Sequence, residues 1–283
     1  MKTLHRVTVL IDNTAIDSSL ATEHGLSVHI HLANGQQWLW DTGQSAALLN
    51  NVAALGIDLA ASAGVALSHG HYDHTGGISP LVEHSGFAGT IVGNPVLDQE
   101  RFVLKQGEAI RSIGLPPGTT LPRFSPVEYT ALLARGLTFV STIERDPEHF
   151  SATAHFFLDR DGEYPDPVQD DACLVLETAD GPVVILGCCH SGLANTLIAL
   201  RERLGHTAFN GVMGGMHLNN APQWAMEESL QTLEEFGVQW IAPGHCTGRE
   251  AIVELARRFS GRVLPYGAGA VFEFPAPAEE AGA

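Results

Sequence analysis

The sequence predicts an α/β protein of two sheets packed face to face, with helices on the outside. Two observations carry this expectation. Short apolar or alternating segments precede helical ones in both halves of the chain. Three later segments also carry apolar stripes at the 3.6-residue helical period. A chain of 283 residues with 45% hydrophobic content buries a core easily.

Taken in order, residues 6–12, 26–33 and 36–41 read as strands, each short and bounded by Gly or Asn. In Val28-His29-Ile30-His31-Leu32 the apolar residues share one face and the histidines the other. His29 and His31 therefore read as a face turned from the core, not as ligands. Residues 45–55 read as a helix and 65–68 as a strand. Further strands are expected near 173–177, 182–187, 208–213 and 238–242. Helices follow near 193–204 (Leu193, Leu197, Leu200, Leu204), 222–236 (Met226, Leu230, Leu233, Phe236) and 249–259 (Ile252, Leu255, Phe259). The reading is one domain over 1–274, with a loop-rich cap inserted at about 95–135 and a mobile tail at 275–283.

The chemistry concentrates in Ser68-His69-Gly70-His71-Tyr72-Asp73-His74-Thr75-Gly76-Gly77, directly after Val65-Ala66-Leu67. His69 and His71, two apart in extended backbone, project to one side, and the turn then supplies Asp73 and His74. Imidazole and carboxylate suit zinc, iron or manganese. Gly70, Gly76 and Gly77 let the backbone wrap closely around ions.

This stretch resembles the His-x-His-x-Asp-His signature of the metallo-β-lactamase fold superfamily. Trp38-Leu39-Trp40-Asp41-Thr42-Gly43 is similar to its strand-ending Asp-Thr-Gly. Gly187-Cys188-Cys189-His190-Ser191-Gly192, Gly214-Gly215-Met216-His217-Leu218 and Pro243-Gly244-His245-Cys246-Thr247-Gly248 resemble one branch. That branch holds relatives of 7,8-dihydropterin-6-methyl-4-(β-D-ribofuranosyl)-aminobenzene 5′-phosphate synthase. Ile11-Asp12-Asn13-Thr14 and Gly25-Leu26-Ser27 fit it too.

The resemblance implies a four-layer αββα sandwich and two divalent transition-metal ions, zinc first, with manganese or iron as alternatives. His69 and His71 would serve one ion, Asp73 and His74 the other, with His245 completing the second. His190 is the expected middle ligand. Cys188 stands where a bridging carboxylate is usual, as a soft ligand or as a small buried hydrophobe. Asp171 is a further carboxylate to weigh as a ligand. Asp41 is expected beneath the loop, orienting it by hydrogen bonds. His217 could donate a proton to the leaving group, touch substrate, bind metal or support a ligand. The implied activity is hydrolysis of an ester-like or phosphoester small molecule by metal-bound hydroxide, with Asp73 and His217 catalytic. The alternatives are a synthase-like transferase and a non-catalytic ligand-binding protein.

Composition narrows the partners. A net charge of −17 argues against nucleic acid. No window is apolar enough to span a membrane, and no signal peptide is evident. The four cysteines do not suggest a disulfide framework, which fits a cytoplasmic setting. Within the insertion, segment 101–123 holds Arg101, Lys105, Arg111 and Arg123 against Glu108 alone, a local +3. These four are expected to draw an anionic substrate to the metals.

Overall fold

A computed structural model describes residues 4–105 and 107–278. The first half supplies β1 (Leu4–Ile11), β2 (Ser27–His31), β3 (Gln37–Trp40), α1 (Ala47–Leu55), β4 (Gly64–Ala66), α2 (Tyr72–Thr75), α3 (Ile78–His84), β5 (Thr90–Gly93), β6 (Phe102–Val103), β7 (Arg111–Ser112), β8 (Phe124–Pro126), β9 (Thr130–Ala134) and β10 (Leu137–Ser141). The second supplies β11 (Phe156–Phe157), β12 (Ala172–Leu176), β13 (Val183–Leu186), α4 (Leu193–Leu204), β14 (Gly211–Gly215), α5 (Gln223–Glu235), β15 (Trp240–Gly244), α6 (Arg249–Arg258) and β16 (Val271–Pro275). Among the described residues no helix is long and apolar enough to cross a membrane.

One sheet runs β16-β1-β2-β3-β4-β5-β8 and the other β15-β14-β13-β12-β10-β9. Their packing follows from period-two alternation. Val28, Ile30, Trp38 and Trp40 of the first sheet meet Leu174, Leu176, Val183 and Ile185 of the second in one apolar cluster. The alternate residues face outward. Leu39, Val65 and Ile91 pack with Leu48 and Val52 of α1 and Leu81 of α3. Val175, Val184 and Leu186 pack with Leu197, Leu230 and Leu255 of α4, α5 and α6. Three successive apolar layers thus separate helices, sheet, sheet and helices, as expected.

The insertion departs from expectation. β8 extends the first sheet and β9 the second, so much of the segment from 124 onward is framework. The cap proper is a small sheet of order β11-β6-β7, to which the later segment around Phe156 contributes. As for the expected tail, Pro275 ends β16, and residues 279–283 lie outside the described residues.

Candidate metal centre

Five strand ends point to one place. β3 delivers Asp41, β4 delivers His69, β13 delivers Cys188 and His190, β14 delivers His217, and β15 delivers His245. β3 and β4 are parallel, as are β13, β14 and β15, so each sheet brings its strand ends out together. The Trp40 indole N–H donates to the Leu186 carbonyl at 3.1 Å and ties the sheets at this end. Asp41, Cys189, His217 and His245 hold φ of 57°, 58°, 46° and 50°. Left-handed non-glycine backbone costs on the order of 1 kcal/mol or more each, and such strain clusters where side chains must be aimed.

The site has two halves. His69, His71 and His190 bring their donor atoms within 4.8 Å of one another. His69 Nδ1 lies 2.8 Å from Ser68 Oγ, which donates to Asp41 at 2.8 Å. His69 Nε2 is 2.9 Å from His71 Nδ1. His190 Nδ1 donates to the Ala152 carbonyl at 2.8 Å. In the other half, Asp73 Oδ2 is ringed by Nε2 of His24 at 3.2 Å, His245 at 3.5 Å and His74 at 3.7 Å. His74 Nδ1 donates to Asp41 at 2.7 Å, and Asp41 also accepts from the Ser68 amide, so one carboxylate ties both ends of the loop. Cys188 Sγ lies 3.2 Å from His74 Nε2 and shares donor groups with His69 and His74, with His190 and His217, and with His245 and Cys246. It therefore stands between the halves.

These residues fit metal ions. Buried polar atoms are nearly always paired, yet Nε2 of His71 and His190 and Nδ1 of His217 have no hydrogen-bond partner, and Nε2 of His245 has only the long 3.5 Å approach of Asp73. The donor spacings of 2.9–3.7 Å bracket the roughly 3.3 Å edge of a tetrahedron built from bonds of about 2.0–2.1 Å. His29 and His31 join no such group among the described residues, and His29 Nε2 instead meets Gln37 at 2.9 Å.

Burial, together with neighbouring imidazoles, holds His69 and His190 well below the usual histidine range; burial dominates for His71 as well. All three present neutral lone pairs. His245 goes the other way: burial lowers it, but Cys246, Asp73 and Asp12 outweigh burial and set it at about 9. Asp73, which burial would raise, is held well below its usual value by His74, His24 and His245.

The pH dependence of the metal-free protein follows. Below pH ~6.5 the unfolded chain protonates histidines that the fold keeps neutral, so stability falls as pH drops. His245 is stabilising below that pH and loses its contribution as pH rises through about 9. Asp12, Asp170 and Asp171, which burial raises (Asp170 to about 7), oppose the acid limb, against five histidines that burial holds low: His5, His29, His69, His71 and His190. The melting temperature of chelator-treated protein should therefore fall from pH ~6.5 toward ~5, and also as pH rises from ~6.5 through about 9, beyond which His245 contributes nothing more. A melting temperature that rises toward pH 5 would contradict the assignment of neutral histidines.

Adjacent carboxylates brace the first half. Asp170 accepts from the Gly70 amide, between His69 and His71, at 2.7 Å. Asp171 accepts from the Ser191 amide, beside His190, at 2.7 Å. Asp171 joins no metal-capable group among the described residues, and its other oxygen, Oδ1, is buried without a hydrogen-bond partner.

Two of the four expected substrate-binding cations are elsewhere. Arg101 is fully buried, paired to Asp166 at 2.8 Å and Asp170 at 2.9 Å. The cap strands fold around it, so it cannot meet a substrate. Arg123 is exposed but binds the Ala88 carbonyl at the start of the parallel pair β5–β8, the end away from the metal loop. Lys105 and Arg111 are exposed on the cap. Cys246 and Asn13 were not expected as site residues; their signal was adjacency to His245 and to the early motif. His24, which its place beside Gly25-Leu26-Ser27 makes a candidate near the site, lies with Asp73 and His245 in a group able to hold a metal ion. His217 lies with its ring 4.4 Å from that of His190. Phe156 of the cap packs on His71 at 5.1 Å and on His190 at 5.3 Å.

Comparison with known proteins agrees. The sequence profile of the metallo-beta-lactamase superfamily matches residues 30–245. The 7,8-dihydropterin-6-methyl-4-(beta-D-ribofuranosyl)-aminobenzene-5′-phosphate synthase of Methanocaldococcus jannaschii is 25% identical, over 94% of this chain and 95% of its own. An uncharacterized protein of the same organism is 26% identical, over 89% and 94%. The crystal structure of Tm1679, described as a metal-dependent hydrolase of the beta-lactamase superfamily, superposes with a TM-score of 0.81 at 29% identity, covering 95% of this chain and 98% of that one. A diphosphatase of the PhnP family shares the fold at a TM-score of 0.57 and 13% identity, covering 97% and 98%. With its profile match, its layered sheets and its histidine cluster at the strand ends, the chain belongs to the metallo-beta-lactamase superfamily.

Proposed function

We propose that the protein is a metal-dependent hydrolase of small, anionic phosphoester or ester-like substrates. One observation carries the reading: buried, unpartnered imidazole nitrogens from both sheets converge on a single site. The similarity to Tm1679 supports it. His69, His71 and His190 would hold one ion, Asp73, His74 and His245 the other, and the Cys188 thiol stands where both can reach it. Bound ions would polarise the substrate oxygen and lower the pKa of a water. The chain's own groups do the rest. Phe156 covers the imidazoles and limits water. His217, beside His190, offers a ring nitrogen toward the reacting groups. Lys105 and Arg111 are cap cations that favour anions on an acidic protein.

A second reading, a transferase of the pterin synthase type, is favoured by the 25% identity that runs nearly end to end. Both are tested together. Protein purified without metal and reconstituted with Zn, Mn or Fe(II) should take up about two ions by elemental analysis. It should then cleave members of a panel of chromogenic phosphomonoesters, phosphodiesters, lactones and thioesters. Uptake below about one ion, with no loss in His69→Ala, sinks the metal reading. Pterin consumption without hydrolysis selects the transferase.

A further inference from the structure

The early motif Glu23-His24-Gly25-Leu26-Ser27 is built to seat one histidine against Asp73. Glu23 accepts from the amides of Gln44 at 2.8 Å and Ser45 at 3.2 Å, anchoring the segment at the approach to α1. The Leu26 amide donates to the Asp73 carbonyl at 3.2 Å. A Cβ on Gly25 would lie 2.8 Å from that same carbonyl, so only glycine allows the approach. His24 is thereby stacked on His245, with ring centroids 5.2 Å apart and planes 26° apart. Its Nε2 is aimed at Asp73 Oδ2, 3.2 Å away. Its side chain is 54% exposed, whereas His74 and His245 are fully buried.

Asn13 distinguishes the two stacked rings. Its amide orientation is set by backbone groups that have no choice of role: Oδ1 accepts from the Gly25 N–H at 3.3 Å, and Nδ2 donates to the His245 carbonyl at 3.3 Å. With the amide so turned, Oδ1 lies 3.1 Å from His245 Nδ1 and requires a proton there, which leaves His245 Nε2 free to ligate. Nδ2 lies 3.4 Å from His24 Nδ1 and requires a lone pair there, which puts the His24 proton on Nε2. Two histidines facing one carboxylate thus hold opposite tautomers, within a group of His24, Asp73 and His245 whose donor atoms are close enough to share an ion.

We infer that His24 is a substrate-binding residue, its Nε2–H donating to an oxyanion of the substrate, such as a phosphoryl oxygen, at the solvent side of the Asp73 half. This rests on the metallo-hydrolase reading. A ligated Asp73 has an oxygen engaged elsewhere, and the His24 N–H is then the exposed donor beside the ions.

The test uses zinc-reconstituted full-length protein and inorganic phosphate as probe, with affinity read by calorimetry. His24→Phe keeps an aromatic ring on His245 but removes the donor, and His24→Gln restores an N–H. The expected result is about tenfold weaker phosphate binding in His24→Phe, the size of one hydrogen bond to a charged partner, with recovery in His24→Gln and unchanged zinc content in both. Long-range nitrogen–proton spectra of histidine-labelled protein should show His24 protonated at Nε2. Loss of one zinc in His24→Phe would make His24 a ligand and overturn the inference, as would unchanged phosphate affinity. A wild-type protein that takes up no zinc refutes the underlying function instead.

Discussion

Asp73→Ala should lose turnover on the order of 10³-fold or more while melting within a few degrees of wild type. Asp73 is where three imidazoles meet, at 3.2–3.7 Å, and it is the carboxylate in that half. An ion there supplies several kcal/mol to a transition state, and each 1.36 kcal/mol is tenfold in rate. The fold has no such dependence. The loop is held by backbone groups, with the Thr42 amide donating to the His74 carbonyl at 2.8 Å and the Leu26 amide to the Asp73 carbonyl at 3.2 Å. Both bonds survive the substitution. Metal content should drop by about one ion. His29→Ala is the control: that histidine lies on a strand and meets Gln37, so metal content and turnover should be untouched. Equal damage from the two variants would remove Asp73 from the site.

Arg101→Ala should cost about 3–5 kcal/mol, the usual effect of stranding buried charge. Asp166 and Asp170 would both be left in a fully buried setting without their cation. For a chain of this size that is a fall in melting temperature on the order of 10 °C. The damage should also reach the site. Asp166 donates its amide to the Phe156 carbonyl, Ile113 donates to the Arg101 carbonyl, and Tyr72 of the metal loop donates to the Ile113 carbonyl. The guanidinium therefore joins cap and metal loop. Lys105→Gln and Arg111→Gln, both exposed, should stay within about 0.5 kcal/mol of wild type. Thermal melts of the three variants decide it: an Arg101→Ala protein as stable as the other two would show that the buried pair is not needed.

What the sequence discloses depends on how local the determinant is. His69, His71, Asp73 and His74 sit within six positions, so spacing alone announces them. The long helices betray themselves through repeated turns: α4 is found where Leu193, Leu197 and Leu200 place it. β6, β7 and β11 have two residues each, too few for a period to register. Charge is the poorest guide. Arg101 looks like part of a solvated basic run, because its partner Asp166 is 65 positions away. The same holds for the Asn13 contacts, which span 232 positions to His245 and only 11 to His24. Cys188 could be placed at a strand end, but its three-way sharing among histidines needs the folded sheets.

The pairing of β1 with β16 has a consequence for biosynthesis. Arg6 and Glu273 meet across 267 positions, so β1 finds one of its neighbours only once Val271–Pro275 has been made. Until Val271–Pro275 leaves the ribosome, β1 has one bare edge, and bare edges recruit other chains. Ribosome-stalled or prematurely terminated products ending before 271 should therefore be drawn to chaperones or to inclusion bodies, even though every residue of the metal cluster has already been made.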